Sequence, residues 1–298
     1  MSGQAGIRGK RVGAILLGVF LAGLLAAASA WAFLDKVLTY GVSAVKVGTA
    51  VAKSAEDLTP EHEYYIGRAV AATILGKYQP LQNEAANAYL NQLGQALVQA
   101  SDRPQTFGGY HFLVLDSDEI NAFGCPGGPI VVSRGLLRCC TDEDQVASVL
   151  AHEIGHVSRK HGMASIEKSR IMDVGGVLFQ ESASHAGGGV GALAGAFAGS
   201  IGDITKTLMV NGYSRGQEGE ADLEAVTILK RLGYDPRALI KVLATMAQRY
   251  QPGGADFAKT HPNPQDRINA LEDKVAGYQA AAGPPARAAR YKTALGNL

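Results

Sequence analysis

His152-Glu153-Ile154-Gly155-His156 sets two imidazoles four residues apart with a carboxylate beside the first. On a helix, residues four apart share one face, so both rings can converge on a single metal ion. Glu153 then stands about 100° round the axis from His152, next to the ion, where a carboxylate can take a proton from activated water. The pattern spells metal-assisted hydrolysis and is incomplete, because a catalytic zinc takes three protein ligands and keeps one position open. A third His in the H-E-x-x-H-x-x-G-x-x-H arrangement would need Gly at 159 and His at 162; the chain has Arg159 and Gly162, which closes that route. His161 lies five residues past His156 and, on a continuing helix, points away from the shared face. The other solution is a Glu on a second helix, and Glu218-Gly-Glu-Ala-Asp222 offers it. Glu218 is the candidate ligand. Asp222, one turn on and on the same face, is placed to accept the far N–H of a ligating His and fix its tautomer. Glu220 faces another way and is the weaker ligand candidate.

Specific elements must hold these groups. Thr141 followed by Asp142, Glu143 and Asp144 reads as a helix start, a capping hydroxyl ahead of acids at the positive end of the dipole. Val146, Val149, Leu150, Ile154 and Val157 give that helix an apolar face. The second ligand helix runs from about Glu218 to Leu232 and stops at Gly233. Asp235-Pro236 and Asn263-Pro264 open two more, the last ending near Val275. Upstream, Thr59-Pro60-Glu61 starts a helix reaching about Lys77, and Ala86, Leu90, Leu93 and Leu97 mark one over 83–100. Tyr110–Leu115 and Ile130–Ser133 are β-branched and aromatic enough to be strands. Between them Asn121–Gly128 carries Gly and Pro that demand a turn or an irregular edge.

H-E-x-x-H followed some sixty residues later by E-x-x-A-D resembles the gluzincin zinc metallopeptidase family of HtpX, the BepA-like periplasmic proteases and the CaaX prenyl protease. Further blocks run in that family's order: Glu61–Gly67, Asn121-Ala-Phe with Pro126-Gly-Gly, Ser133–Leu137, Tyr213-Ser-Arg215, and His261-Pro262 with Arg267-Ile268. The resemblance covers roughly 58–275. It implies an α+β, mostly α, zincin-like metallopeptidase domain with a small mixed sheet, a substrate-binding edge strand, one Zn2+ per chain and endopeptidase activity. It also implies His152, His156 and Glu218 as metal ligands, Glu153 as general base and Asp222 behind the ligands. Asn121 and Ile130 match the family's edge region and are expected to position substrate, a polypeptide lying extended along the sheet edge. His261, matching the H-P block, is the first candidate oxyanion donor, ahead of Tyr213 and Arg267. Two other readings of His261 stand beside this one: a neutral imidazole filling the open metal position and keeping the enzyme latent, or a structural residue ahead of the last helix.

The rest of the sequence bounds the setting. Charged residues are only 18% of 298, and Lys plus Arg at 28 balances Asp plus Glu at 27, so no basic field exists to hold nucleic acid. Arg8, Lys10 and Arg11 precede an uncharged run from Val12 to Leu34, with Ala28-Ser29-Ala30 as an A-x-A site. Residues 1–34 therefore read as a signal peptide or an N-terminal membrane anchor, and both place the chain beyond residue 35 outside the cytoplasm, in the periplasm for a member of this family. Loss of the first thirty residues would move the formal charge from +1 to −2. Residues 35–57 suit a linker, and the Ala/Gly/Pro-rich stretch 276–298 a loose tail. Cys125, Cys139 and Cys140 are either one bridge with a thiol left over, in an oxidising compartment, or three inert thiols. Gly187, Gly191, Gly195 and Gly199 recur every four residues. The uncharged span 186–202 could pack closely on the protein, dip into a bilayer surface, or serve as a mobile loop. Only one segment is long enough to span a bilayer, which argues against a multi-spanning protease of prenylated proteins. A chaperone or binding module on the same fold is the competing function. The sequence fixes no oligomeric state.

Overall fold

The computed structural model describes residues 59–165, 199, 201–249, 260–261, 264–279 and 283–298. The N-terminal leader or anchor, the 35–57 linker and the Gly-rich run through residue 198 lie outside them. Among the described residues no helix is long and apolar enough to cross a membrane.

Three short strands form a mixed sheet: β1 (His111–Leu115), β2 (Ala122–Gly124) and β3 (Pro129–Ser133), in the order β1-β3-β2. β1 runs parallel to β3 and β2 antiparallel to it. Successive side chains on a strand face opposite ways, and both faces here are buried. Phe112, Val114, Ile130, Val132 and Ala122 point into the larger core cluster, and Leu113, Leu115, Val131 and Phe123 into the smaller. That two-sided burial is why β1 reads as an unbroken apolar run rather than an alternating one. α1 (Pro60–Lys77) covers one face with Ile66, Val70 and Ile74. On the other face lie α2 (Glu84–Gln99) and the active-site helix described below.

α2 also closes the outer edge of β1. Asn91 accepts from the Phe112 N–H at 3.1 Å and donates to the Phe112 carbonyl at 2.6 Å. Asn87 accepts from the Val114 N–H at 2.9 Å, and Gln95 donates to the Tyr110 carbonyl at 2.6 Å. Side-chain amides thus stand in for a missing strand and satisfy groups an open edge would leave free. β2 is the other edge. Its three residues occupy part of the segment expected to be irregular, and the turn falls instead at Gly127 and Gly128, both at positive φ.

After a short helix α3 (Arg134–Leu137) comes α4 (Glu143–Ser158), with all but two of its sixteen residues buried. Asp142, not Thr141, caps it, accepting from the Gln145 N–H at 2.9 Å; the Thr141 hydroxyl accepts from the Gln145 side chain. A single turn α5 (His161–Ala164) follows. Further on, a helical stretch from residue 201 ends in a π-helical turn, Thr207–Asn211. α6 (Arg215–Arg231) starts at a Ser214–Gln217 capping box, three residues ahead of the expected start, and packs along α4. α7 (Arg237–Arg249) and α8 (Pro264–Val275) complete the layer.

The loose tail expected over 276–298 is contradicted for about half of its length. Pro285–Leu295 form a helix, α9. Its composition hid amphipathic anchors: Leu295 is buried, the Tyr291 hydroxyl donates to the Cys140 carbonyl at 2.6 Å, and Arg290 pairs with the buried Glu143 at the start of α4. All three cysteines are buried and unbridged; Cys125 and Cys140 belong to different core clusters, so the bridge between them does not form.

Candidate active site

α4 and α6 cross where the chain has no side chain to hold them apart. A Cβ at Gly155 would come 2.9 Å from the Ala221 carbonyl oxygen and 3.0 Å from its Cα. Glycine between the two histidines therefore lets the second helix approach closely enough to present Glu218 to the His152/His156 face. β2 closes in from another side, with Gly124 against the Glu153 carbonyl and carboxylate.

His152, His156, Glu218 and His261 bring one ligand atom each to within 4.8 Å of one another, all four buried. His152 Nε2 lies 3.0 Å from His156 Nε2, 3.5 Å from Glu218 Oε2 and 3.3 Å from His261 Nδ1. His156 Nε2 is 3.5 Å and His261 Nδ1 3.1 Å from Glu218 Oε1. Four donors about 2.0–2.1 Å from one tetrahedral ion stand roughly 3.3 Å apart, so these separations fit a metal. Imidazole nitrogens turned toward one another around a buried carboxylate are also the donor types a divalent metal takes.

Carboxylates and one cation hold the arrangement. His152 Nδ1 lies 2.9 Å from Asp222 Oδ1, which leaves Nε2 for the cluster. Arg267, on α8 and fully enclosed, donates to both Asp222 oxygens at 2.6 and 2.8 Å and pairs with Glu218 Oε2 at 2.8 Å. Burial would raise the Glu218 and Asp222 carboxyls; His261 and Arg267 beside Glu218, and Arg267 beside Asp222, outweigh it and hold both below the usual carboxylate range. Burial and the Arg267 charge oppose protonation of His152, yet its hydrogen bonds to Asp222 and Glu218 win and push it up to about 9. Burial, then the charge of His152, pushes His156 well below the imidazole range. The Arg267 guanidinium is engaged by two carboxylates, Asp222 and Glu218, rather than turned out as an oxyanion donor.

Glu153 is fully buried and neither of its oxygens has a hydrogen-bond partner among the described residues; His261 Nε2 is 3.7 Å away. Tyr213 stacks on His156 with ring centroids 4.0 Å apart, and its buried hydroxyl has no partner among the described residues. Asn121 sits at the start of β2, where its Oδ1 accepts from the Ala122 N–H at 2.9 Å and the Thr260 hydroxyl at 3.2 Å, linking the edge strand to the neighbour of His261. Ile130 is elsewhere. It lies on the central strand, paired to both neighbours and enclosed in the core, so it lines no edge; two short apolar strands in sequence cannot reveal which is flanked on both sides. Sequence reasoning also set His161 aside, whereas the structure seats it against His156.

Residues 84–275 match the model of Peptidase family M48. The beta-barrel assembly-enhancing protease of Yersinia pestis is 32% identical over 209 residues, 66% of this chain and 40% of that protein. Metalloprotease LoiP of Escherichia coli (strain K12) is 28% identical over 165 residues, 55% of this chain and 62% of LoiP. The mitochondrial metalloendopeptidase OMA1 of Schizosaccharomyces pombe is 33% identical over 159 residues, 51% of this chain and 43% of OMA1. The chain thus spans about 40% of the length of the beta-barrel assembly-enhancing protease it matches. With the family model matching well over half of the residues, and with a buried metal-binding cluster built on the two helices that the H-E-x-x-H and E-x-x-A-D segments form, the chain belongs to peptidase family M48.

Proposed function

We propose that the protein is an exported, periplasmic zinc endopeptidase acting on misfolded or membrane-associated polypeptides. The observation that carries the chemistry is Glu153: a fully buried carboxylate whose oxygens find no hydrogen-bond partner among the described residues, beside two imidazoles and a carboxylate from a distant helix. His152, His156 and Glu218 would hold zinc, which would supply Lewis acidity toward a carbonyl oxygen and toward water. Glu153 accepts the proton of the attacking water and delivers it to the leaving amine. Tyr213 keeps its proton far above the ordinary phenol range, through burial and then the Glu153 charge, and its unpartnered hydroxyl is a donor for the developing oxyanion. β2 is the edge available to an extended peptide, since α2 side chains occupy the edge of β1, and Asn121 sets the start of that edge. The reading of substrate class and compartment is supported by the N-terminal segment and by relatives named as beta-barrel assembly-enhancing proteases.

The test is zinc analysis and casein cleavage on wild type beside Glu153→Gln. Both should carry one zinc per chain, and cleavage should fall about 10²–10⁴-fold in the variant. Equal cleavage by the two proteins refutes the assignment. A chaperone function on the same fold would survive Glu153→Gln unchanged.

A second reading concerns state rather than reaction. His261 Nδ1 stands among the ligand atoms, as a fourth ligand would, and Thr260 binds Asn121 at the edge strand. This supports a latent form in which the 260–261 segment fills the open metal position. His261→Ala should then raise cleavage and loosen the metal; a role as oxyanion donor predicts a fall in kcat with the metal retained. Unchanged activity and coordination would remove both roles.

A further inference from the structure

Asp222 orients His152 directly. Among the described residues no carboxylate meets Nδ1 of the other ligand histidine, His156; a second imidazole lies behind it instead. His161 Nδ1 is 3.0 Å from His156 Nδ1, and His161 Nε2 is 3.0 Å from Glu220 Oε2. We propose that Glu220 and His161 form a positioning relay that fixes the tautomer and orientation of His156 and thereby sets the affinity of the site for its metal. The inference rests on the reading of His156 as a ligand.

The proton positions follow from that role. A metal takes the lone pair of His156 Nε2, so Nδ1 must carry the hydrogen and donate it. His161 Nδ1 is then the acceptor, which forces its own hydrogen onto Nε2, where Glu220 receives it. The opposite assignment would put a hydrogen on His156 Nε2, aimed at the metal position. A carboxylate at the far end thus selects the ligating tautomer two rings away.

The backbone is bent to make the contact. On a continuing helix His161 would stand roughly 140° round from His156. α4 instead ends at Ser158, and Lys160 takes φ 57°, ψ 33°, the left-handed region that a side chain disfavours. That turn folds His161 back beneath His156, where it is buried. The Gln217 side chain donates to the His161 carbonyl at 3.5 Å. α6 therefore supplies Glu218 to the ligand set, Asp222 to His152 and Glu220 to the relay. Glu220 is 61% exposed, so the relay is open to solvent at its far end while Asp222 is enclosed.

The experiment measures zinc dissociation constants by chelator competition, with the visible spectrum of the cobalt(II) form, in wild type, His161→Phe, His161→Asn and Glu220→Gln. His161→Phe removes the acceptor and should weaken zinc about 10–100-fold and alter the cobalt spectrum. His161→Asn supplies an amide oxygen near the Nδ1 position and should recover most of that loss. Glu220→Gln keeps an acceptor without the charge and should give a smaller, measurable weakening. Zinc binding by His161→Phe equal to wild type overturns the relay, and so does equal loss in the Phe and Asn variants, which would mark a packing role. If His161→Phe does not fold, Glu220→Gln at its exposed position carries the test, and an unchanged constant and spectrum there overturn the proposal. Failure of wild type itself to bind zinc would instead defeat the metalloenzyme reading on which the relay rests.

Discussion

The contact between α9 and the start of α4 can be dissected by a double-mutant cycle on Arg290 and Glu143. The Glu143 side chain is 1% exposed. It accepts from the Tyr234 hydroxyl at 2.9 Å and the Tyr89 hydroxyl at 3.3 Å, takes two donors from Arg290, and has Arg287 at 4.0 Å. Breaking a fully buried ion pair costs about 3–5 kcal/mol. Arg290, however, is 44% exposed, so water reaches its end of the pair and screens it. Glu143 also keeps two hydroxyl donors after Arg290 is gone. The expected cost of Arg290→Ala is therefore about 1.5–3 kcal/mol, a fall in Tm of roughly 3–12 °C for a domain of this size. Glu143→Gln in the Arg290→Ala background should cost little further, because a neutral amide oxygen still accepts from the tyrosines. The two single changes should thus fall short of additivity by about 1–2 kcal/mol, measured by thermal and denaturant unfolding at fixed zinc. Effects that add within about 0.5 kcal/mol would refute the claim that α9 is held by charge compensation of Glu143.

Gly155→Ala should force α4 and α6 apart, since its Cβ meets Ala221 backbone at 2.9–3.0 Å; a loss of about 1–3 kcal/mol with weaker zinc is expected, and an unchanged Tm and zinc constant would contradict it. Zinc at about 1,000 times its Kd should stabilise the fold by about 4 kcal/mol over the chelated form, and a chelator-insensitive Tm would count against the site. Burial pushes the Cys125 and Cys140 thiols far above their ordinary range, so thiolate stays scarce at pH 8; alkylation should be negligible in the native protein and complete in denaturant, and rapid native labelling would contradict the burial. On the proposed export, the intact mass of the protein should show a start after Ala30 if residues 1–30 are removed, or at Met1 if they anchor the chain, with recovery from the cytosol alone refuting export.

The residues of the proposed chemistry were legible in the sequence by itself. Glu153 between two histidines one turn apart, and Glu218 with Asp222 one turn on, are local patterns whose geometry follows from helix pitch alone. The helix starts at Pro60 and Pro264 were legible for the same reason: capping and proline act within a single turn. What sequence left open depends on contacts between distant segments. Ile130 and Phe112 look alike in sequence, and only pairing order made the strand of Ile130 central and left β2 as the edge beside Glu153. The last residues looked loose because Ala, Gly and Pro dominate them, and only the buried Glu143 and the Cys140 carbonyl give Arg290 and Tyr291 something to dock against. His161 was out of reach of periodicity, because one left-handed residue, Lys160, ends the helix and reverses the chain. Arg267 likewise became the cation between two buried carboxylates only when α8 packed on α6. Local rules fix which groups a turn can present; the partner that each group meets is set by packing across the chain.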